Sequence, residues 1–238
     1  MKNSIERIIE ILDSQQLRYP SNIDEYANGI VAKIRPKREI AIRAIVNTII
    51  AKFTYYVTLS YMDDTVDLCA VKADCNRMLN KFGVEKHLYD YEKDILKCNN
   101  NGEELFPCAQ FWQHYATVAL LWALRLRDDI NADGCFNHNE IISDIEQVYN
   151  FIDSHDNLKL FLDACHMRSK NEILDMRLLF EMYWWNIYQT CDNEKDYGVC
   201  PKSLFHETVV ETHRALDWLA LSREKSRTWN FDVYCEYI

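Results

Sequence analysis

The chain has 238 residues, and its 37 Asp and Glu against 27 Lys and Arg give a formal net charge of −10 at pH 7. This acidic balance disfavours nucleic acid as a partner, because binding to phosphate backbones depends on Lys and Arg. Five Gly and four Pro are too few for the turns of a β-sandwich or barrel and favour long helices. The chain also has no Gly-rich segment of the kind that cradles phosphate.

The compartment is predicted from the N-terminus and the cysteines. Residues 1–7 lack the apolar core of a signal peptide, and no uncharged apolar run reaches the roughly 18 residues that a membrane-spanning helix needs. The nine Cys include no Cys-x-x-Cys pair. They are therefore predicted to be buried thiols in a cytoplasmic protein, without contact to a membrane, rather than disulfides or zinc ligands.

Apolar residues at helical spacing predict helices along nearly the whole chain. The predicted helices span about residues 4–17, 36–63, 66–82, 89–96, 107–127, 139–151, 158–162, 169–188 and 203–219. The helix over 107–127 is the most apolar and is expected at the centre. Ser169 and Glu172 have the spacing of a capping box, and Phe82-Gly83 is typical of a helix end. Residues 21–35 remain open between a loop and a short strand around 30–32, and the basic stretch 33–38 is interpreted as a solvated helix entry.

The C-terminal third carries a signature that reads Arg-Ser-x-x-Glu-Ile-x-Asp, later Trp, later Glu-x-His-x-Ala-Leu-x-Trp-Leu. The matching residues are Arg168, Ser169, Glu172, Ile173, Asp175, Trp184, Glu211, His213, Ala215, Leu216, Trp218, Leu219 and Trp229. With similar stretches at 37–44 and 111–124, the sequence resembles a bacterial family of domains of unknown function over residues 36–235. The resemblance implies a helical fold and no particular reaction. Tyr183, Thr212 and Asn230 stand where that family tends to have His, Arg and an acid, so this chain lacks any chemistry those groups perform elsewhere.

Two helices of this C-terminal third are expected to form a hairpin that could carry chemistry. If they pair antiparallel, Glu211 and His213 could act as an acid–base pair of a hydrolase-like enzyme, since a buried His beside a carboxylate is a suitable general base. The alternative is structural: Arg168, Glu172 and Glu211 cap and bridge the hairpin, and His213 bonds a backbone carbonyl. No hydroxyl near His213 lies in an activating motif, and the structural alternative is preferred.

The loop 129–140 matches the EF-hand calcium pattern at its fixed positions. The predicted ligands at loop positions one, three, five, seven and twelve are Asp129, Asn131, Asp133, Cys135 through its carbonyl, and Glu140. Gly134 is the turning residue, and helical patterns flank the loop. Against calcium, Arg125 lies where the entering helix normally has an apolar residue, and no second hand is present. An acidic helix–loop–helix linker is the alternative.

An aromatic set could wall a ligand pocket, although at helical spacing such residues more often belong to the core. Its members are Trp112, Tyr115, Trp122, Tyr183, Trp184, Trp185 and Trp218.

Together these patterns predict one all-α domain over residues 1–238, with about eight helices, a C-terminal helix hairpin and an aromatic tail. The function that fits best is a non-enzymatic binding or interaction module without a cofactor. Its acidic surface would suit a basic protein partner, and an immunity-type role that covers a basic toxin is one form of this prediction. A calcium-binding protein through 129–140 and a hydrolase-like enzyme using Glu211 and His213 are the alternatives.

Overall fold

The computed structural model describes residues 4–28, 33–97, 111–132, 138–191 and 204–221. In these ranges the protein has ten α-helices, one 3-10 turn and one short β-ribbon. The helices are α1 (Ser4–Ser14), α2 (Ile23–Asn28), α3 (Lys37–Ser60), α4 (Leu68–Phe82), α5 (Asp90–Ile95), α6 (Gln113–Ala123), α7 (His138–Asp153), α8 (Leu158–Ala164), α9 (Lys170–Cys191) and α10 (His206–Leu219). The 3-10 turn is Glu85–His87, and the strands are β1 (Lys33–Ile34) and β2 (Ala220–Leu221).

The all-α prediction is confirmed, since eight of the ten described α-helices have at least seven residues. The predicted helix over 107–127 is shorter than expected. Its C-terminal end is set by Arg125, which has a left-handed φ of 55° and whose amide bonds the carbonyl of Trp122, a geometry that stops an α-helix. Residues 107–110 and the aromatic tail lie outside the described residues.

Two helices, α3 and α6, form the centre of the fold. α3 packs against α4, α6 and α7, and α6 lies between α3 and α10. Pro36 precedes α3 with a φ of −60°, so the fixed proline torsion leads directly into the helix. α3 is also the one described helix that is long and apolar enough to cross a bilayer, but 94% of its apolar window is buried inside the protein. Such burial is typical of the core helix of a soluble protein, and the cytoplasmic location stays a prediction.

Helix ends follow local sequence closely. Gly83 takes a φ of 63° after α4, a left-handed conformation that glycine adopts without steric cost. The predicted capping box at α9 is confirmed: the Ser169 amide donates to Glu172 at 2.8 Å, and the Glu172 amide donates to the Ser169 hydroxyl at 3.2 Å. Both bonds satisfy amides that a helix start leaves without a partner.

A short β-strand lies at 33–34, within the stretch 21–35 that the sequence leaves open between a loop and a strand. Residues 30–32 lie outside the described residues, and the partner strand at 220–221 was not predicted. Lys33 and Ile34 pair antiparallel with Leu221 and Ala220. The Arg35 amide extends this connection by donating to the carbonyl of Leu219. The ribbon therefore holds the start of α3 beside the end of α10.

The prediction of buried thiols is met in part by the cysteines whose surroundings the structure describes; Cys98, Cys108, Cys135, Cys200 and Cys235 lie outside the described residues. Cys75 and Cys165 are buried, and burial raises their pKa to about 12 and about 11. Cys69, however, is exposed.

Candidate functional site

The hairpin of α9 and α10 is present, and the two helices pack against each other. Arg168 joins it to the rest of the fold: its Nε donates to the carbonyl of Trp122 at 2.9 Å, and its guanidinium lies 4.6 Å from the centre of that indole ring. Arg168 also pairs with Glu172 at 3.3 Å. The structural alternative is met by Glu172, which caps α9. It is wrong in two details: Arg168 bonds carbonyls in and after α6 and not in α10, and His213 contacts a carboxylate and not a backbone carbonyl.

Glu211 and His213 have separate partners in the structure. Glu211 pairs with Arg214 on its own helix, while the His213 Nε2 lies 2.8 Å from a carboxylate oxygen of Glu181 on α9. Residues two apart point to different sides of a helix, which explains the separation. The described contacts do not assemble an acid–base pair from Glu211 and His213, and the catalytic role stays a prediction.

Glu211 is 9% exposed, and its environment changes its chemistry. Burial raises the pKa of its carboxyl, and the Arg214 charge acts in the opposite direction without cancelling the effect. Desolvation penalises the ionised form of an acid, so the folded protein favours protonated Glu211 more than an unfolded chain does.

Four side chains of the hairpin, Arg177, Glu181, His213 and Asp217, form what we call the hairpin cluster. The Arg177 Nε donates to Asp217 at 2.6 Å, and its Nη2 lies 3.6 Å from Glu181. Donor atoms of Glu181, His213 and Asp217 all lie within 4.8 Å of one another. Sequence reasoning found His213 but missed the others. The available signal was the i,i+4 spacing of 177 with 181 and of 213 with 217, which puts each pair on one helix face.

The imidazole of His213 is held by an aromatic ring as well as by Glu181. The Trp184 ring stacks on it with centroids 5.6 Å apart and an interplanar angle of 19°. The residue is 5% exposed, and its Nδ1 has no hydrogen-bond partner among the described residues. The structure therefore fixes the plane of the ring while one of its nitrogens remains unsatisfied.

A cavity of about 360 Å³ opens where the ribbon, the start of α3 and the end of α10 meet. We call it the arginine pocket. It is lined by Arg35, Glu39, Ile42, Arg43, Val46, His87, Tyr89 and Trp218. The Arg35 guanidinium lies 4.2 Å from the centre of the Trp218 ring, and that of Arg43 lies 5.0 Å from the centre of the Tyr89 ring. Each guanidinium thus lies over an aromatic ring, at a distance typical of a cation–π contact.

Hydrogen bonds fix both guanidinium groups. The Arg35 Nε donates to the carbonyl of Trp218 at 2.7 Å. The Arg43 Nε donates to Asn47 at 2.7 Å, and its Nη2 pairs with Glu92. Arg43 and Glu92 are 4% and 0% exposed, so this ion pair supports the pocket from inside the protein.

The charges that act on His87, in the lining of the pocket, are cationic although the protein as a whole is acidic. Partial burial lowers the pKa of His87, and the charges of Lys86, Arg38 and Arg43 lower it further. All three named charges are cations. The basic stretch 33–38, interpreted from sequence as a solvated helix entry, supplies Arg35 and Arg38 here. Its role was not visible in the sequence because Trp218 is 183 residues from Arg35.

The aromatic set divides between core and pocket. Trp122 and Tyr183 are each 4% exposed and belong to the main hydrophobic core. Trp218, 7% exposed, belongs to the same core and also lines the arginine pocket. Sequence patterning could not separate these roles, because both place an aromatic side chain on an apolar helix face.

The predicted calcium loop lies partly outside the described residues, which omit 133–137. Asp129, Asn131 and Glu140 are exposed. The preceding helix, α6, ends at Ala123, whereas the entering helix of an EF-hand leads directly into its loop. Calcium binding at this loop stays a prediction.

A second buried imidazole also contacts a carboxylate. The His114 Nε2 lies 2.6 Å from Asp144, which also accepts two hydrogen bonds from Arg127 at 3.0 and 2.7 Å. Burial alone would raise the pKa of Asp144, but the hydrogen bonds from His114 and Arg127 bring it well below its usual range. This carboxylate is therefore ionised, and it joins α6 to α7.

Comparison with known proteins gives a family and no activity. The family model described as Domain of unknown function (DUF4272) matches residues 5–231. Searches of curated proteins and of solved structures gave no match to this chain.

Proposed function

Because the chain belongs to the DUF4272 family, which has no assigned function, we propose a role from the geometry of its sites. We infer that the protein is a non-enzymatic binding module, and that the arginine pocket holds a small anion carrying a carboxylate or phosphate group. The observation that carries this proposal is the pair of guanidinium groups, each lying over an aromatic ring, that line a single cavity.

Stacking suits a guanidinium for anion recognition. The aromatic ring covers one face of the cation, and the planar guanidinium offers several N–H donors to an oxygen-bearing ligand. Arg43 donates to Asn47 and Glu92. Arg35 donates to the Trp218 carbonyl and Glu39, so a ligand would bind Arg35 by displacing Glu39. The Arg35 side chain retains 17% exposure, so it is held in place and still reaches solvent from the pocket. A pre-positioned arginine loses little conformational entropy when it binds a ligand.

Charge supports the same conclusion. A protein with a net charge of −10 repels anions on average, and a local group of cations is needed to attract one. Arg35, Arg38 and Lys86 lie at or near the pocket, whereas the charge of Arg43 is paired with Glu92. Glu39, the acid in the lining, pairs with Arg35 at 3.3 Å and is half exposed, so a ligand anion could displace it.

A binding role also fits the contacts that Glu211 and His213 make within the protein. Glu211 pairs with Arg214, and His213 with Glu181, so both residues of the predicted acid–base pair are engaged in ion pairs or hydrogen bonds. The pocket lining itself offers cations, ring faces and the aliphatic side chains of Ile42 and Val46. These groups hold and orient a ligand.

The proposal is tested by calorimetric titration and thermal unfolding with inorganic phosphate, pyrophosphate and citrate as probes. At a hundredfold excess over its dissociation constant, a bound anion should stabilise the protein by about 2.7 kcal/mol. Arg35→Gln should abolish the effect. Arg7→Gln is the matched control, because Arg7 is 61% exposed and has a weak ion pair at 3.6 Å. Absence of binding by all three probes at millimolar concentration, or equal binding by the Arg35→Gln variant, would overturn the proposal.

The basic protein partner stays a prediction that is supported by the net charge. It requires that this protein binds a basic toxin-like protein and that the affinity falls strongly as salt is added. The calcium prediction has its own test: a melting temperature that does not shift in millimolar calcium would exclude it.

A further inference from the structure

We propose that the hairpin cluster is a binding site for a first-row divalent metal ion, with Glu181, His213 and Asp217 as ligands. The donor atoms of these three residues lie within 4.8 Å of one another. One imidazole nitrogen with two carboxylate oxygens is a donor set that suits Zn²⁺, Mn²⁺ or Co²⁺. This site is separate from the arginine pocket and from the predicted calcium loop.

The helices place the three ligands in a suitable arrangement. His213 and Asp217 are four residues apart on α10, so they lie on one face of that helix. Glu181 reaches them from α9, and its carboxylate is 2.8 Å from the His213 Nε2. Two ligands that are each about 2.1 Å from a tetrahedral ion lie about 3.4 Å apart. A small opening of this contact would therefore admit the ion.

Burial favours a tightly held ion over a loosely associated one. The exposed fractions of the His213, Glu181 and Asp217 side chains are 6%, 16% and 12%. A metal there would have few competing waters, and the low surrounding polarity would strengthen its attraction to the carboxylates. The Trp184 ring fixes the imidazole plane, and a ligand held in one orientation costs less entropy to engage.

Arg177 is the residue that this proposal must accommodate. Its guanidinium bonds Asp217 at 2.6 Å and lies 3.6 Å from Glu181. The cluster sets two carboxylates against this one guanidinium. A carboxylate also has two oxygens and can accept a guanidinium hydrogen bond while it binds a metal. Arg177 therefore orients the carboxylates and at the same time weakens metal binding by charge repulsion.

The test therefore uses two variants that should change the metal affinity in opposite directions. The full-length protein, dialysed against a chelator, is titrated with Zn²⁺ by calorimetry and with Co²⁺ by visible absorption. His213→Gln should weaken binding by about tenfold or more. Arg177→Met should tighten it by about fivefold or more, because a neighbouring positive charge is removed. A cluster that acts only as an ion-pair network predicts no metal binding in any variant.

The matched control is His206→Gln. His206 begins the same helix and lies 3.8 Å from the carboxylate of Glu207, but its side chain is 50% exposed and lies outside the cluster. It should leave the affinities for Zn²⁺ and Co²⁺ unchanged. Circular dichroism establishes that each variant is folded, and Arg177→Met provides a test even if His213→Gln does not fold.

Three results would overturn the proposal. One is no saturable binding of Zn²⁺ or Co²⁺ at micromolar concentration, and another is weaker binding by the Arg177→Met variant. The third is a thiolate-to-cobalt absorption band that disappears in a Cys69→Ser variant, which would place the metal at the exposed thiol instead of the hairpin.

Discussion

The described residues include two buried arginine–glutamate pairs, which differ in how many hydrogen bonds their carboxylates accept. Arg43 and Glu92 join α3 to the start of α5, 49 residues apart. Arg214 and Glu211 are three residues apart on α10. Glu92 also accepts hydrogen bonds from the Tyr89 amide at 2.8 Å and the Tyr91 hydroxyl at 3.4 Å. Among the described residues, Glu211 accepts one from Arg214.

The comparison shows that pairing alone does not compensate a buried charge. Burial raises the pKa of Glu211 even though Arg214 is adjacent. A carboxylate needs several donors to replace the water it loses. The Arg43–Glu92 pair, beneath the arginine pocket, has several such donors and connects α3 to α5. The pair on α10 is local and depends on a single donor.

The largest expected effect is that of Glu92→Gln. The variant removes one charge of a buried pair and weakens the cap of α5, so the free energy of unfolding should fall by about 3 kcal/mol or more. Urea unfolding at pH 7 measures it. Lys97→Ala is the control, because its ion pair with Asp94 is exposed at 74% and 72% and its loss should have no measurable effect. Equal stability of the two variants would show that the Arg43–Glu92 pair does not support the fold.

A smaller effect, of opposite sign, is expected from Thr212→Val. Thr212 is fully buried next to Glu211, and its hydroxyl has no hydrogen-bond partner among the described residues. Replacing an unsatisfied hydroxyl by a methyl group should raise the free energy of unfolding by about 1 kcal/mol.

The matched control for Thr212→Val is Thr54→Val. Thr54 is equally buried, but its hydroxyl donates to the carbonyl of Ile50 at 2.8 Å. This change should not stabilise the protein. If both variants gain the same stability, the effect comes from helix packing and not from the unsatisfied hydroxyl.

The smallest effect at neutral pH is expected from Glu211→Gln, which keeps an oxygen acceptor for Arg214. The change in the free energy of unfolding should be within about 1 kcal/mol. Its signature is the pH dependence. Since the folded pKa of Glu211 lies above its unfolded value, its contribution is most favourable below the unfolded pKa of about 4.5 and is lost as pH rises through the folded pKa. The free energy of unfolding of the Glu211→Gln variant should not show this decrease with rising pH. A parallel pH profile for both proteins would mean that Glu211 is as well solvated as in the unfolded chain.

Local features of this fold could be predicted from sequence, whereas contacts between distant segments could not. The Ser169–Glu172 capping box and the Gly83 helix end depend on a few neighbouring residues, and both are confirmed. The end of α6 was missed because Arg125 is not a residue type that favours a positive φ. Strands of two residues, such as β1 and β2, are too short to give a period.

The candidate sites follow the same division. His213 was recognised from its own motif, but its partner Glu181 is 32 residues away on another helix. The helical spacing within α9 and α10 was present in the sequence, and only the packing of the two helices shows which faces meet. In the arginine pocket the separation along the sequence is larger still. Arg35 and Trp218 are 183 residues apart, and the ribbon brings them together.

The ribbon also sets an order of events during synthesis. Arg35 leaves the ribosome 183 residues before the Trp218 ring that covers it, and the ribbon cannot close until Ala220 and Leu221 have been made. At about 5 to 20 residues per second, the start of α3 waits for roughly ten seconds or more without its partner strand. The proposed anion binding at the arginine pocket therefore requires residues 218–221, and a nascent protein or one truncated before Trp218 should not retain the anion.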